Sequence, residues 1–144
     1  MISILHWSPR SPYVRKVMVA LHEKQLVDQV TVVRTLADPM VPPTDFFATN
    51  PFAKIPTLER PGHRPLFDSK VIMEWADLTS SAGPVLFPPQ PEIRLDAQRH
   101  EALGTTLIDV AIALLIELRM RKPEAQDERV IGVAQHKLRA ALDE

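Results

Sequence analysis

Cysteine is absent from the 144 residues. That excludes structural disulfides, a thiol nucleophile, a Cys-x-x-Cys redox pair and any thiolate metal ligand. Glycine is scarce, at 4 residues, while proline reaches 14, so proline does most of the backbone punctuation. No Gly-rich phosphate loop exists. The histidines, His6, His22, His63, His100 and His136, are scattered without metal-ligand spacing. A charge excess is missing too. Lys and Arg number 17 against 18 Asp and Glu, a net of −1, which leaves no electrostatic footprint for nucleic acid or an anionic membrane. The longest apolar block, Leu107 to Leu118, carries Asp109 and Glu117 and is too short to span a bilayer. Met1 leads into Ile2-Ser3-Ile4-Leu5 without the basic start and apolar run of a signal peptide. The last two absences point to a cytoplasmic protein.

What remains is ordinary globular material. Hydrophobic residues make up 45% and charged residues 24%, enough for one domain or two small ones. Ile2 to Trp7 reads as a buried strand. Val14, Val17, Met18 and Leu21 then fall on one helical face, with Ser11 as N-cap and Pro12 at the first helical position. That helix is expected to end near Gln25. Val30 to Val33 is β-branched and reads as a second strand, parallel to the first across the helical crossover. A long connection with Pro39, Pro42 and Pro43 follows, in which Thr44 caps a short helical turn through Phe46 and Phe47. Thr57 to Arg60 and Pro65 to Phe67 read as an antiparallel pair around a Pro61–Arg64 turn. Asp68-Ser69 caps a further helix with Val71, Ile72, Trp75 and Leu78 on one face. The expected first domain is therefore a mixed four-stranded α/β unit, β-α-β-α-β-β-α, over residues 1–79.

The stretch Asn50 to Leu58 organises that domain. Pro56 stands at the head of a strand, where it costs no ladder hydrogen bond. A cis Ile55–Pro56 bond would turn the backbone and leave Ile55 N–H and C=O free to pair with an extended peptide-like ligand. A loop proline with no ligand fits the same residues. Ser11 is open to two readings. It is a helix cap, and it also stands where a helix N-terminus would favour a ligand thiolate. Asp68-Ser69 likewise caps a helix, and its N–H groups and the Ser69 hydroxyl would suit a ligand carboxylate. Asp68 would alternatively meet an ammonium. Lys54 is a surface lysine or the cation for a second carboxylate. The cluster Arg10, Arg15 and Lys16 reads as a solvated helix face. A ligand with a thiol, peptide bonds, an ammonium and two carboxylates would satisfy these points together, and glutathione has that description.

Ser11-Pro12-Tyr13-Val14-Arg15-Lys16-Val17, Asn50 to Leu58, and Phe67-Asp68-Ser69-Lys70-Val71-Ile72 resemble, in order and spacing, the signatures of the glutathione S-transferase amino-terminal domain. The resemblance implies a thioredoxin-like fold and, as in bacterial serine-type members, a serine at Ser11 that hydrogen-bonds the glutathione sulfur. Pro9-Arg10 stands where zeta members have a serine-rich run, which leaves Ser8 as a rival for that contact. It further implies that Ile55, before a cis Pro56, pairs with the cysteinyl part, that Lys54 lies near the glycyl carboxylate, and that Asp68 and Ser69 hold the γ-glutamyl end. Glutathione would be the co-substrate, its thiolate attacking a small electrophile.

Ser80 to Pro91 reads as a linker anchored by Leu86 and Phe87, and residues 92–144 as an all-helical part. One helix, from about Glu92 to Arg121, carries Leu103, Leu107, Val110, Ala111, Leu114 and Leu118 in one stripe, widened by Ile108, Ile112 and Leu115. A helix apolar on two sides is expected to be buried on two sides. Pro123 ends it, and a second helix carries Val130, Ile131, Ala134, Leu138, Ala141 and Leu142. Next to the longer bundle of the family, this is a shortened, truncated helical domain. Its open stripes point to a homodimer. They also support a different class of function, a non-catalytic protein-binding module like the stringent starvation proteins.

Overall fold

The computed structural model describes residues 2–38 and 41–144. Pro39, one of the prolines assigned to the long connection, lies outside the described residues, as do Met1 and Met40. The chain forms two compact units, Met1–Arg94 and Leu95–Glu144.

In the first unit the order is β1 (Ser3–Trp7), α1 (Pro12–Glu23), β2 (Val30–Arg34), β3 (Thr57–Glu59) and α2 (Ser69–Thr79), with 3-10 turns at Val27–Gln29 and Thr44–Ala48. The sheet order is β2-β1-β3. β1 runs parallel to β2, from Ser3 beside Val30 to Trp7 beside Arg34. It runs antiparallel to β3, with Leu5 beside Leu58 and His6 beside Thr57. Alternation along β1 sends Leu5 into the core and His6 to the opposite face. The core joins Leu5, Val30 and Leu58 of the sheet to Val17 and Leu21 of α1, Leu26, and Ile72 and Ala76 of α2. Fully burying a Leu or Ile side chain contributes about 2 kcal/mol.

The fourth strand is reduced to a single antiparallel bridge between Leu58 and Leu66. Each donates to the other, at 2.9 Å from Leu58 N and 2.8 Å from Leu66 N. Pro65 has no N–H to extend that ladder. The inner face of α2 also differs from the expected one. Ser69, Ile72 and Ala76 are buried, whereas Val71 and Leu78 are exposed and Trp75 only borders the core. Small Ala76 lets α2 lie close, so the buried row runs Ser69–Ile72–Ala76, three to four residues apart.

α1 ends as a Schellman motif. Gln25 takes a left-handed φ of 53°, Leu26 N–H donates to Leu21 C=O (2.8 Å) and Gln25 N–H to His22 C=O (3.0 Å). The closing residue is Gln25 and not a glycine. Lys24 beside it is buried and paired with Asp77 of α2 at 3.0 Å. Lys24 also donates to the Pro84 carbonyl (3.1 Å), while Asp77 accepts the N–H groups of Leu86 (3.0 Å) and Phe87 (2.8 Å). The linker is thus pinned by a buried ion pair, with Phe87 buried as expected. Arg94 pairs with Glu74 and donates to the Phe87 carbonyl (3.1 Å).

α3 (Pro91–Arg119) leads into the second unit, which also holds a 3-10 turn at Pro123–Ala125 and α4 (Glu128–Leu142). Two-sided burial of α3 is not found. Its one buried residue is Glu117, and Leu115, Ile116 and Leu118 are exposed. Within this unit only α4 is available to cover a stripe that wide. Glu117 organises the bend instead, accepting Asp127 N–H (2.9 Å) and pairing with Arg121 (3.0 Å). Asp127 caps α4, whose buried residues are Ile131 and Ala134. Among the described residues no helix is long and apolar enough to cross a membrane.

Candidate functional site

Strand register brings the three sequence stretches to one edge of the sheet. His6 lies beside Thr57, so the loop leaving β1 and the loop entering β3 share an edge. Leu66 runs antiparallel to Leu58, so the chain beyond Leu66 returns toward that same edge. Asp68-Ser69 therefore arrives near the Ile55–Pro56 turn. A ring contact joins the two loops directly, with Phe52 edge-on to Phe67 at 6.3 Å.

Ser11 caps α1, its hydroxyl oxygen accepting Val14 N–H at 3.2 Å. A hydroxyl that accepts still has its own O–H to donate. Ser11 is half-buried, so that hydrogen can reach a group at the helix N-terminus. Ser8 is more deeply buried, and its Oγ accepts Arg10 N–H at 3.4 Å. Ser11 N–H in turn donates to the Ser8 carbonyl (3.2 Å). The rival serine thus forms the turn that presents Ser11.

The Ile55–Pro56 peptide bond is cis. Ile55 is half-buried and Pro56 buried. Among the described residues no group pairs with Ile55 N–H or C=O. The residues around it are tied down. Asn50 Nδ2 donates to the Lys54 carbonyl (3.1 Å) and to Thr57 Oγ1 (2.8 Å), and the Thr57 hydroxyl donates to the same carbonyl (2.8 Å). Asn50 Oδ1 accepts Phe52 N–H at 2.9 Å, and its carbonyl accepts Ala53 N–H at 2.8 Å. Ala53 takes a left-handed φ of 47° and is buried. The Lys54 side chain is exposed, while its carbonyl carries two of these bonds.

Asp68 caps α2, accepting Lys70 N–H at 3.1 Å, with its side chain exposed, and Ser69 is buried. Two helix N-termini and one open backbone segment thus share an edge. The first favour negative charge, and the second offers one donor and one acceptor to an extended chain. Among the described residues no group of His, Asp and Glu could hold a metal ion.

Sequence reasoning missed Asn50 and Thr57, which are nearly inaccessible and fix the Ile55 loop. It also missed His6, which sits on the reverse face of the sheet against Phe46.

The amino-terminal domain family of glutathione S-transferases matches residues 10–79. A glutathione transferase family member from Pseudomonas fluorescens Pf-5, crystallised with bound glutathione, is 33% identical. The alignment covers 98% of this chain and 68% of that one, with a TM-score of 0.92. The chain belongs to the glutathione transferase family. A glutathione S-transferase from Methylobacillus flagellatus KT with glutathione bound is 34% identical, over 98% of this chain and 67% of that one, at a TM-score of 0.86. A family member from Pseudomonas fluorescens Pf-5 has also been crystallised with S-(propanoic acid)-glutathione. No curated protein sequence matches the chain. This family member thus spans about two thirds of the length of these relatives. Its amino-terminal unit is the thioredoxin-like domain of the family.

Proposed function

We propose that the chain binds glutathione at this edge and conjugates its thiolate to a small electrophile. The observation that carries the reading is the unpaired Ile55 N–H and C=O on a clamped loop, placed between two capped helix N-termini. Bound glutathione in the Pseudomonas and Methylobacillus relatives supports it. In this reading Ile55 pairs with the cysteinyl part through its main chain. Asp68 and Ser69 hold the γ-glutamyl end, the carboxyl group against the α2 N-terminus and the ammonium against Asp68. The exposed Lys54 ammonium meets the glycyl carboxylate. Those contacts leave the sulfur at the start of α1. There the Ser11 O–H donates to it and the helix dipole favours its anion, lowering the thiol pKa. The thiolate attacks the electrophilic carbon. Either a leaving group departs with the bonding pair or, in an addition, the adjacent carbon takes a proton.

Ser11→Ala tests the reading. A hydrogen bond to a charged group contributes about 1.5–3 kcal/mol, so kcat at neutral pH is expected to fall roughly ten- to hundredfold. The pH profile moves upward, because the bound thiol loses its donor, and glutathione affinity changes little. Ser8→Ala retains the rate. Calorimetry showing no glutathione binding to the intact chain sinks the proposal.

We further propose a cytoplasmic homodimer. The exposed Leu115, Leu118, Val130, Val133 and Leu142 of the second unit support the association. A monomer by light scattering at micromolar concentration overturns it. The same exposed residues favour a second reading, a glutathione transferase-like module that binds another protein. Ser11→Ala with no kinetic consequence and intact partner binding would select that reading.

A further inference from the structure

His6 is a half-hidden imidazole on the face of the sheet opposite the main core, with 12% of its side chain exposed. It touches three separate segments. Nε2 lies 2.6 Å from Glu59 Oε1 at the end of β3. Nδ1 lies 2.8 Å from Thr35 Oγ1, the residue following β2. Its ring centroid is 4.5 Å from that of Phe46, in the Thr44–Ala48 turn. Thr35 is also tied to β1, its N–H donating to the Trp7 carbonyl at 2.8 Å.

We propose that His6 is a positioning residue for the Ile55 backbone, acting through Phe46 and Asn50 without touching the ligand. The connection is short. Phe46 is buried beneath the ring, and its carbonyl accepts the N–H groups of Thr49 (3.0 Å) and Asn50 (2.9 Å). Asn50 Nδ2 then holds the Lys54 carbonyl, the group that precedes Ile55 N–H in the chain. A ring that fixes Phe46 therefore fixes where Asn50 starts, and Asn50 fixes where Ile55 presents its donor and acceptor. His6 also stands beside Thr57 in the sheet, and Thr57 donates to the same Lys54 carbonyl. One end of the loop carrying Ile55 is thus located through the His6 ring and Phe46, and the other through the β1–β3 pairing of His6 with Thr57.

The proton arrangement suits a permanent clamp. An ionised Glu59 carboxylate only accepts, so Nε2 carries a hydrogen. The Thr35 hydroxyl can either donate or accept. The Nδ1 contact is therefore kept whether that nitrogen is bare or protonated.

The inference rests on the glutathione-site reading above, and its test separates the two. His6→Phe keeps a ring against Phe46 and removes both hydrogen bonds. With glutathione and chlorodinitrobenzene as co-substrates, KM for glutathione is expected to rise about three- to tenfold, the range of one or two such bonds. The kcat value and KM for chlorodinitrobenzene stay at the wild-type values. Thr35→Val, which removes one bond, gives part of the rise. A side chain needed only for folding would lower the melting temperature and the active fraction, leaving KM for glutathione unchanged in the remaining enzyme. That pattern in both variants overturns the proposal. If His6→Phe lacks a folded circular dichroism spectrum, Thr35→Val decides by the same KM criterion. Wild-type protein that does not bind glutathione in calorimetry brings down the site reading and this proposal with it. Wild-type binding with unchanged KM in the variants removes only the role of His6.

Discussion

Asn50 is 1% exposed and places both its amide hydrogens and its amide oxygen on neighbouring main chain and Thr57. Replacing it with Ala removes one of the two bonds to the Lys54 carbonyl, the bond to Thr57 Oγ1 and the acceptor of Phe52 N–H. With each bond worth about 1 kcal/mol and a penalty for buried unpaired groups, a loss of roughly 3 kcal/mol is expected in denaturant unfolding. Glutathione binding should weaken in parallel, because Ile55 loses its fixed position. At this scale the sequence was legible where the interaction is local. Ser11 and Asp68 act as caps on residues two or three positions away, so their residue type and the proline beside Ser11 announce them. Asn50 was not legible, since its partner Thr57 is seven residues on and meets it only after the loop has turned.

Among the elements, the ends differ from what composition suggests. Gln25 occupies the left-handed position that closes α1, where a side chain costs energy and glycine does not. Gln25 is exposed, so Gln25→Gly is expected to raise stability by about 1 kcal/mol, read as a higher melting temperature. Gly83 shows the converse. It has φ of 63°, and a Cβ there would stand 2.0 Å from the Glu23 carbonyl oxygen. Gly83→Ala must push the linker off the end of α1. Faster amide exchange at Leu86 and Phe87, whose N–H groups bind Asp77, is the expected outcome. Strand and helix positions followed from periodicity. The inner face of α2 did not, because Val71 and Ile72 are adjacent and equally apolar, and the sheet accepts only one of them.

For the first unit as a whole, Lys24 and Asp77 link α1, α2 and the linker. Burial raises the Asp77 pKa. The Leu86 N–H, the Lys24 ammonium and the Phe87 N–H outweigh that and hold it below its usual value of 3.8. A carboxyl whose folded pKa is depressed stabilises the fold fully above its unfolded pKa, and loses that contribution as pH falls through the folded value. Stability is therefore expected to drop below about pH 4, with a smaller acid-dependent loss in Asp77→Asn. That variant also leaves the buried Lys24 ammonium without its counter-ion, which costs roughly 3–5 kcal/mol at neutral pH and should show in denaturant unfolding.

The Ser11 and Asp68 caps and the order of strands and helices were determined by the sequence alone, because each depends on neighbours within a turn or a strand. The cis Ile55–Pro56 bond was foreseen there as well. Tertiary structure decided the rest. It reduced the fourth strand to one bridge, turned Ile72 and not Val71 inward, buried Lys24 against Asp77, and set His6 against Phe46 and Glu59. Those outcomes are contests between residues of similar polarity, or pairings across 53 positions of chain in the case of His6 and Glu59. Only the folded arrangement of the sheet brings such partners within a few ångströms and settles which of them is left in water.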